Sequence, residues 1–321
     1  MVKVLITGGT GFLGRRLVDS LSNYDKNLEI ILSVRKNRLN HNAQGKYRFI
    51  INEIDKDFYF DEQVDIVIHI ASEIDKKKDM WSTNYYGTKR ILHWCEKSGV
   101  KKIIYASSIS VFGNNNDTII TESSICQPLN LYAKSKYAAE NLIINFCTTN
   151  KIKYLILRPT NIIDDEINIK YPMLNFIRSI RREYFYYFCN PGNVYLNYVT
   201  LDDVINCLRL MIENNNNGIY ILNNPVKINE LVKIISKELN IKIPKKIIPY
   251  NIGFNLAKLC DLIGFLTRRS LPFNTNKFYE LTNKRVYDGS LISKKTKFNY
   301  KYNVIEIVKK IANYYGEKGL L

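Results

Sequence analysis

The sequence predicts an α/β fold, a doubly wound parallel sheet with helices on both faces and a smaller, mostly C-terminal α/β part closing over it. Three observations carry this. A short apolar strand, Val2 to Thr7, runs into the glycine turn Gly8-Gly9-Thr10-Gly11-Phe12-Leu13-Gly14, and then into a helix with Leu13, Leu17 and Leu21 on one stripe. Apolar strands then alternate with helical segments, the rhythm of parallel strands joined by crossover helices. After the strand Ile152 to Leu157 that rhythm loosens.

Gly8, Gly11 and Gly14 stand where a strand becomes a helix, so bare backbone and the first helical amides can approach a pyrophosphate. The next strand, Leu28 to Val34, ends in Arg35-Lys36, about 20 residues past the turn, where a dinucleotide site meets the adenosine ribose. An acid there would bind the free 2′-hydroxyl of NAD, whereas Arg accommodates the 2′-phosphate of NADP. The expectation is therefore NADP(H) ahead of NAD(H), with a solvated basic loop through Arg38 as the rival reading of Arg35. Strands Lys46 to Ile51 and Asp65 to Ile70 continue the sheet, and His69, inside an apolar run, is expected to be packed rather than catalytic. A helix from about Trp81 to Ser98 leads to strand Lys101 to Ala106, and Ser107 to Gly113 then sits at the carboxyl edge, where ligands bind in such sheets.

Tyr132 and Lys136 lie one turn apart on the next predicted helix, so an ammonium can stand beside a phenol and favour its ionised form. Tyr85 and Lys89 share that spacing, but precede the serine edge. Asp202 and Asp203 open a later helix, where capping explains them better than a metal does. Cys95, Cys126, Cys147, Cys189, Cys207 and Cys260 show no Cys-x-x-Cys spacing and no close His, so they read as small hydrophobes and no metal is expected.

The 46% apolar content of these 321 residues excludes wholesale disorder. The charge of +17, from 47 basic and 30 acidic side chains, is spread among Asn, Ile and Tyr, and no zinc-finger spacing, heptad run or basic helix supports a nucleic-acid partner. The first residues lack the pattern of a signal peptide, which gives the expectation of a cytoplasmic protein. Ile252 to Leu266 is too short to span a bilayer, and no integral membrane segment is expected. Its helical stripe of Leu256, Leu259, Ile263 and Leu266 is expected to pack on the domain, with membrane docking as the other reading.

Glycine turn, serine edge and Tyr132 pair, in this order, resemble the extended short-chain dehydrogenase/reductase family, the nucleotide-sugar epimerase and dehydratase group. The likeness rests on Thr7 to Gly14, Asp65 to Ala71, Asn84 with Gly87-Thr88, Tyr105 to Gly113, Tyr132 to Lys136, Leu157-Arg158-Pro159 and Tyr198 to Val204, and covers most of the chain. The resemblance implies a Rossmann-type unit over residues 1–161, with 200–222 returning to it, and a substrate-binding part over 162–199 and 223–321. It implies Tyr132 as catalytic acid/base, Ser108 on the reacting oxygen, and Lys136 holding the nicotinamide ribose while lowering the tyrosine pKa from its usual value of about 10. Phe12 and Leu13 would flank the cofactor, with Glu53 and Ile54 near adenine, Ala71 near ribose and Pro159 in the same set. Glu53 replaces the family's usual Asp. Asn161 would meet substrate, Asn84 would complete a polar network or simply cap, and a homodimer would pack through the Trp81 and Asn130 helices.

Departures from the family pattern bear on the reaction. Dehydratases of the group carry Asp-Glu after the serine's counterpart, where this chain has Ile109-Ser110, so elimination of water lacks its acid and base. Leu196 stands where a phosphate-binding Arg is usual, and Asp164-Asp165 replace Gly-Pro after Asn161. Arg178, Arg181 and Arg182 could supply phosphate contacts instead, or form a solvated face. The run Tyr184 to Phe188 could line an apolar pocket or be core. The leading expectation is a 4-ketoreductase or epimerase acting on a nucleotide sugar. The alternatives are a 3β-hydroxysteroid-dehydrogenase-like enzyme for a hydrophobic substrate, and a non-catalytic NADP-binding protein.

Overall fold

The computed structural model describes residues 1–24, 27–35, 47–113, 115, 117–164, 172–267, 271 and 273–319. Lys36, Arg38, Lys46 and Asp165, named above, lie outside the described residues. The strands are β1 (Val2–Thr7), β2 (Leu28–Val34), β3 (Arg48–Ile51), β4 (Ile66–His69), β5 (Lys102–Ala106), β6 (Ile119–Ile120), β7 (Lys153–Pro159), β8 (Asn161–Ile163), β9 (Tyr195–Leu196), β10 (Tyr198–Thr200), β11 (Gly218–Leu222), β12 (Val226–Lys227) and β13 (Val286–Tyr287). The helices are α1 (Phe12–Tyr24), α2 (Lys77–Trp81), α3 (Gly87–Cys95), α4 (Leu131–Thr149), α5 (Pro172–Arg181), α6 (Leu201–Glu213), α7 (Ile228–Glu238), α8 (Tyr250–Thr267), α9 (Thr275–Thr282), α10 (Ser290–Lys295) and α11 (Val304–Glu317). A π-helical turn, Ser82–Tyr86, joins α2 to α3.

Seven strands form one parallel sheet in the order β11-β7-β5-β4-β1-β2-β3. The chain builds outward from β1 through β2 to β3, then crosses back to β4 on the other side of β1. That reversal leaves a crevice beyond the carboxyl ends of β1 and β4, the usual ligand position in an open α/β sheet. Side-chain alternation feeds both faces. Val4, Ile6, Ile30, Leu32, Ile66 and Ile68 join α1 and α6 in one core, while Leu5, Ile31, Val67, Ile103 and Tyr105 join α3 and α4 in the other.

A further core gathers α5, α7, α8, α9 and α11 around Phe185, Tyr187, Phe188 and Phe278. It is joined to the sheet by buried polar ties. At the start of α6, the Thr200 hydroxyl accepts from the Asp203 amide and donates to the Asp203 carboxylate. That carboxylate also accepts from the amides of Lys301 and Tyr302, and Asp202 pairs with Arg16 at 3.2 Å, so Thr200 is the cap while the acidic pair sits in the first turn and ties it to its neighbours. At the other end of α6, Lys102 donates to the carbonyls of Met211 and Ile212, placing a cation on the helix C-terminus. Ile292 and Phe298, far along the chain, lie in the first core.

Candidate active site

The glycine turn is built so that no larger residue fits. Gly8 has φ +77°, and a Cβ there would stand 2.6 Å from the Ala71 amide nitrogen, across the gap between β1 and β4. A Cβ on Gly14 would stand 2.6 Å from the Cα of Gly9. The Gly11 amide donates to the Gly8 carbonyl at 3.0 Å, closing the loop beneath the start of α1. These contacts leave backbone, not side chain, facing the crevice.

From this turn a cavity of about 330 Å³ runs along the carboxyl ends of the strands. Gly8, Gly11, Phe12, Leu13 and Gly14 form one end, Arg35 and Ile54 stand on one flank, and Ala71, Tyr132, Lys136 and Pro159 line the rest. The structure therefore brings eleven predicted cofactor residues to one wall. Glu53 is not among the lining residues; it pairs with Lys56, and its neighbours Asn52 and Ile54 take the wall instead. Ser108 and Asn161 also stand outside that wall, although Ser108 is close enough to Tyr132 to lower its pKa. Ser107 and Thr83 line the cavity, and each has a buried hydroxyl without a hydrogen-bond partner among the described residues. A polar ligand threaded past the glycine turn would satisfy both, so the residues present fit a dinucleotide.

Tyr132 opens α4, whose N-terminus is fixed by the Asn130 side chain accepting from the Ala133 amide at 2.8 Å. Burial raises the Tyr132 pKa, and hydrogen bonds with Ser72 and Ser108 partly offset it. Lys136 directs its Nζ elsewhere: it donates to the Ala106 carbonyl at 2.6 Å and lies 4.3 Å over the Tyr105 ring. Burial pushes its pKa down to about 7, against the attraction of Glu140. Burial, not Lys136, is the leading influence on Tyr132, and the Lys136 ammonium is held by a carbonyl on β5. Glu140, one turn on, makes a buried two-pronged pair with Arg158 at 3.0 and 2.7 Å. The rival Tyr85 stacks edge-on with Trp81 and Tyr86 outside the cavity wall, and Lys89 is exposed.

A relay of hydrogen bonds joins the glycine turn to the Tyr132 helix. The Ala71 amide donates to the Thr7 hydroxyl, which donates to His69 Nδ1 at 2.7 Å. His69 Nε2 donates to the Thr88 hydroxyl at 2.9 Å, and Thr88 donates to the Asn84 carbonyl. Those directions follow because the Thr88 proton is already committed. Burial and the Lys136 charge hold His69 down to about 3, so it is a neutral bridge, packed as expected. The Asn84 side chain accepts from the Ser72 hydroxyl and the Glu73 amide and donates to the Ser135 hydroxyl. Ser72, which the sequence reading did not single out, thereby contacts both Asn84 and Tyr132.

Residues 4–223 match the NAD dependent epimerase/dehydratase family. The chain belongs to that family. It is 28% identical over 271 residues to dTDP-D-glucose 4,6-dehydratase of Dictyostelium discoideum, covering 75% of this chain and 62% of that protein. The chain thus spans less than two thirds of that relative. UDP-glucuronic acid 4-epimerase from Bacillus cereus, solved in complex with NAD, superposes with a TM-score of 0.70 at 16% identity, covering 98% of this chain and 99% of that one. RMD from Pseudomonas aeruginosa, solved with NADPH, superposes with a TM-score of 0.67 at 17% identity, covering 99% of this chain and 100% of that one. As a member of this NAD-dependent family, the chain is an extended short-chain dehydrogenase/reductase.

Among the described residues, no group of three or more His, Cys, Asp or Glu could hold a metal. Arg178 and Arg182 line a different cavity, of about 650 Å³, in the second core. Of the aromatic run, Phe185, Tyr187 and Phe188 are buried core, and Tyr184 and Tyr186 border that second cavity. The feature that suggested a hydrophobic substrate therefore stands apart from Tyr132.

Proposed function

We propose that the chain transfers a hydride at a hydroxyl or keto carbon of a nucleotide-activated sugar, as a 4-ketoreductase or epimerase, with Tyr132 as acid/base. The observation that carries this is Tyr132 and Lys136 on the wall of the cavity that begins at the glycine turn. When bound, the nicotinamide cofactor supplies or accepts the hydride. In the reductive direction the Tyr132 hydroxyl donates its proton to the carbonyl oxygen as hydride reaches the carbon, giving a secondary alcohol; oxidation runs the same transfers backward. Ser108 orients that oxygen, and it and Ser72 act on the phenol by lowering its pKa against burial. In this reading Lys136, on the same cavity wall, holds the nicotinamide ribose. Gly8, Gly11 and Gly14 admit the pyrophosphate, Phe12 and Leu13 flank it, and Ile54, Ala71 and Pro159 bound the remainder, with Asn161 on the substrate side.

NADP(H) is the preferred cofactor in this reading. Arg35 follows Val34 at the cavity rim, and its lining neighbours Ser33 and Asn52 offer no carboxylate for a free 2′-hydroxyl. Dehydration is disfavoured, since Ile109 and Ser110 supply no acid. The nearby Glu73 is fixed as an anion: burial opposes ionisation, but three backbone amides donate to it and hold its pKa down. A homodimer through α2, α3 and α4 accounts for the exposed Trp81, Tyr86 and Leu131.

The test is to offer the purified chain NADPH or NAD with nucleotide sugars and their 4-keto forms. Net oxidation of NADPH by a 4-keto sugar marks a reductase, and interconversion of two parent sugars without net cofactor use marks an epimerase. Tight cofactor binding with neither outcome would overturn the reading in favour of a non-catalytic dinucleotide-binding protein.

A further inference from the structure

The helical stripe of α8 faces the wrong way for a packed helix. Only Gly253 and Ala257 are buried. On a helical projection they share a side with Gly264, while Leu262, Leu266, Leu259, Ile252, Ile263 and Leu256 form a separate stripe running from the opposite side round one flank. All six are exposed, Leu266 at 71%, and Phe265 beside them reaches 81%. Small residues thus seat the helix on the domain and large apolar ones point to solvent, the reverse of the arrangement a surface helix adopts to bury its stripe. The segment leading into α8 adds exposed Ile243 and Ile247 and carries exposed Lys242, Lys245 and Lys246. Lys258 lies exposed on the helix itself, its Nζ 4.5 Å from the Phe254 ring centroid. The single acid of α8, Asp261, accepts from the Thr275 amide.

We propose that α8 and the segment before it dock the protein on an anionic lipid bilayer, with the leucine and isoleucine face in the headgroup boundary and the lysines against lipid phosphates. Charge decides the occupant. A second copy of the chain pairing through α8 would set these lysines against their own kind, whereas a bilayer carrying acidic headgroups complements both the apolar face and the cations. No described helix is long and apolar enough to cross a membrane, which fits a helix lying in the interface. Leu256 also borders the cavity that holds Arg182 and Lys277, so the docked face opens beside a basic pocket.

Vesicle flotation of the full chain tests this. With phosphatidylcholine mixed with phosphatidylglycerol, the protein floats at low salt and dissociates as salt rises; with phosphatidylcholine alone it binds at least about tenfold less. The double variant Leu259→Glu/Ile263→Glu, checked for a native circular dichroism spectrum, loses flotation. A second variant, Lys245→Gln/Lys246→Gln, keeps the apolar face and weakens binding roughly fivefold for each lysine removed. Failure of the native protein to float, equal binding to neutral and anionic vesicles, or undiminished flotation of either variant overturns the proposal. So does a soluble dimer in sedimentation velocity that Leu259→Glu/Ile263→Glu dissociates while vesicles bind nothing, which would assign the face to a second copy.

Discussion

Replacing Arg158 with Met strips the charge partner from Glu140 in the middle of the molecule. The pair is buried on both sides, 3% and 0% exposed, and consists of two charge-assisted hydrogen bonds. Its guanidinium carbon also lies 4.8 Å from the centre of the Phe112 ring. Each such hydrogen bond is worth roughly 1.5–3 kcal/mol, so the two together suggest about 3–6 kcal/mol. That agrees with the roughly 3–5 kcal/mol typical of breaking a buried pair from one side. Urea denaturation of native protein, Arg158→Met, Glu140→Met and the double variant would read it. The expected result is a large loss in each single variant and recovery of a good part of it in the double, because the double leaves no lone charge in the core. Single losses under about 1 kcal/mol, or losses that simply add, would refute the claim that this pair is a coupled buried unit.

The other expectations are smaller in scope. Because His69 sits at about 3, below its ordinary value of about 6.5, the unfolded chain binds more protons between those values, so stability is full above that window and drains as pH falls through it. His69→Asn should flatten this acid limb in pH-dependent denaturation, and an unchanged limb would remove His69 from the cause. Gly14→Ala forces a Cβ against Gly9 and the Gly8 carbonyl, so titration should show at least about a hundredfold loss of dinucleotide affinity; native affinity would contradict the cradle. Arg35→Ala should weaken NADP binding by roughly tenfold, the worth of one exposed charge-assisted contact, and leave NAD nearly unchanged. Equal affinities for the two cofactors in both proteins would remove Arg35 from the argument.

How much of this was legible in the sequence depends on how local each feature is. The strands β1, β2, β4 and β5 and the glycine turn are written in adjacent residues, and they lie where the apolar runs and glycines placed them. Tyr132 and Lys136 were legible as one helical turn, but the target of the lysine was not. Its Ala106 carbonyl belongs to β5, brought close by the packing of α4 on the sheet, which no spacing reveals. The same reason hid Ser72, whose importance comes from lying between Asn84 and Tyr132, and it displaced Glu53, whose neighbours rather than itself reach the cavity. In α8 the periodicity was read correctly and its direction was not: the expected packing on the domain is corrected by the exposure of Leu256, Leu259, Ile263 and Leu266. A stripe of leucines says that one side differs from the other. Only the glycine and alanine opposite, small enough for close seating, say which side is buried.

The central claim is that Tyr132 moves the proton, and the most direct measurement is the turnover of Tyr132→Phe beside native protein, with the nucleotide sugar on which native protein is active. The substitution removes one hydroxyl from a partly buried ring and keeps its packing. Cofactor affinity should therefore stay within about threefold, while kcat falls by roughly 10²–10⁴, the usual share of a positioned acid/base. Full turnover in Tyr132→Phe, with cofactor still bound, would contradict the account.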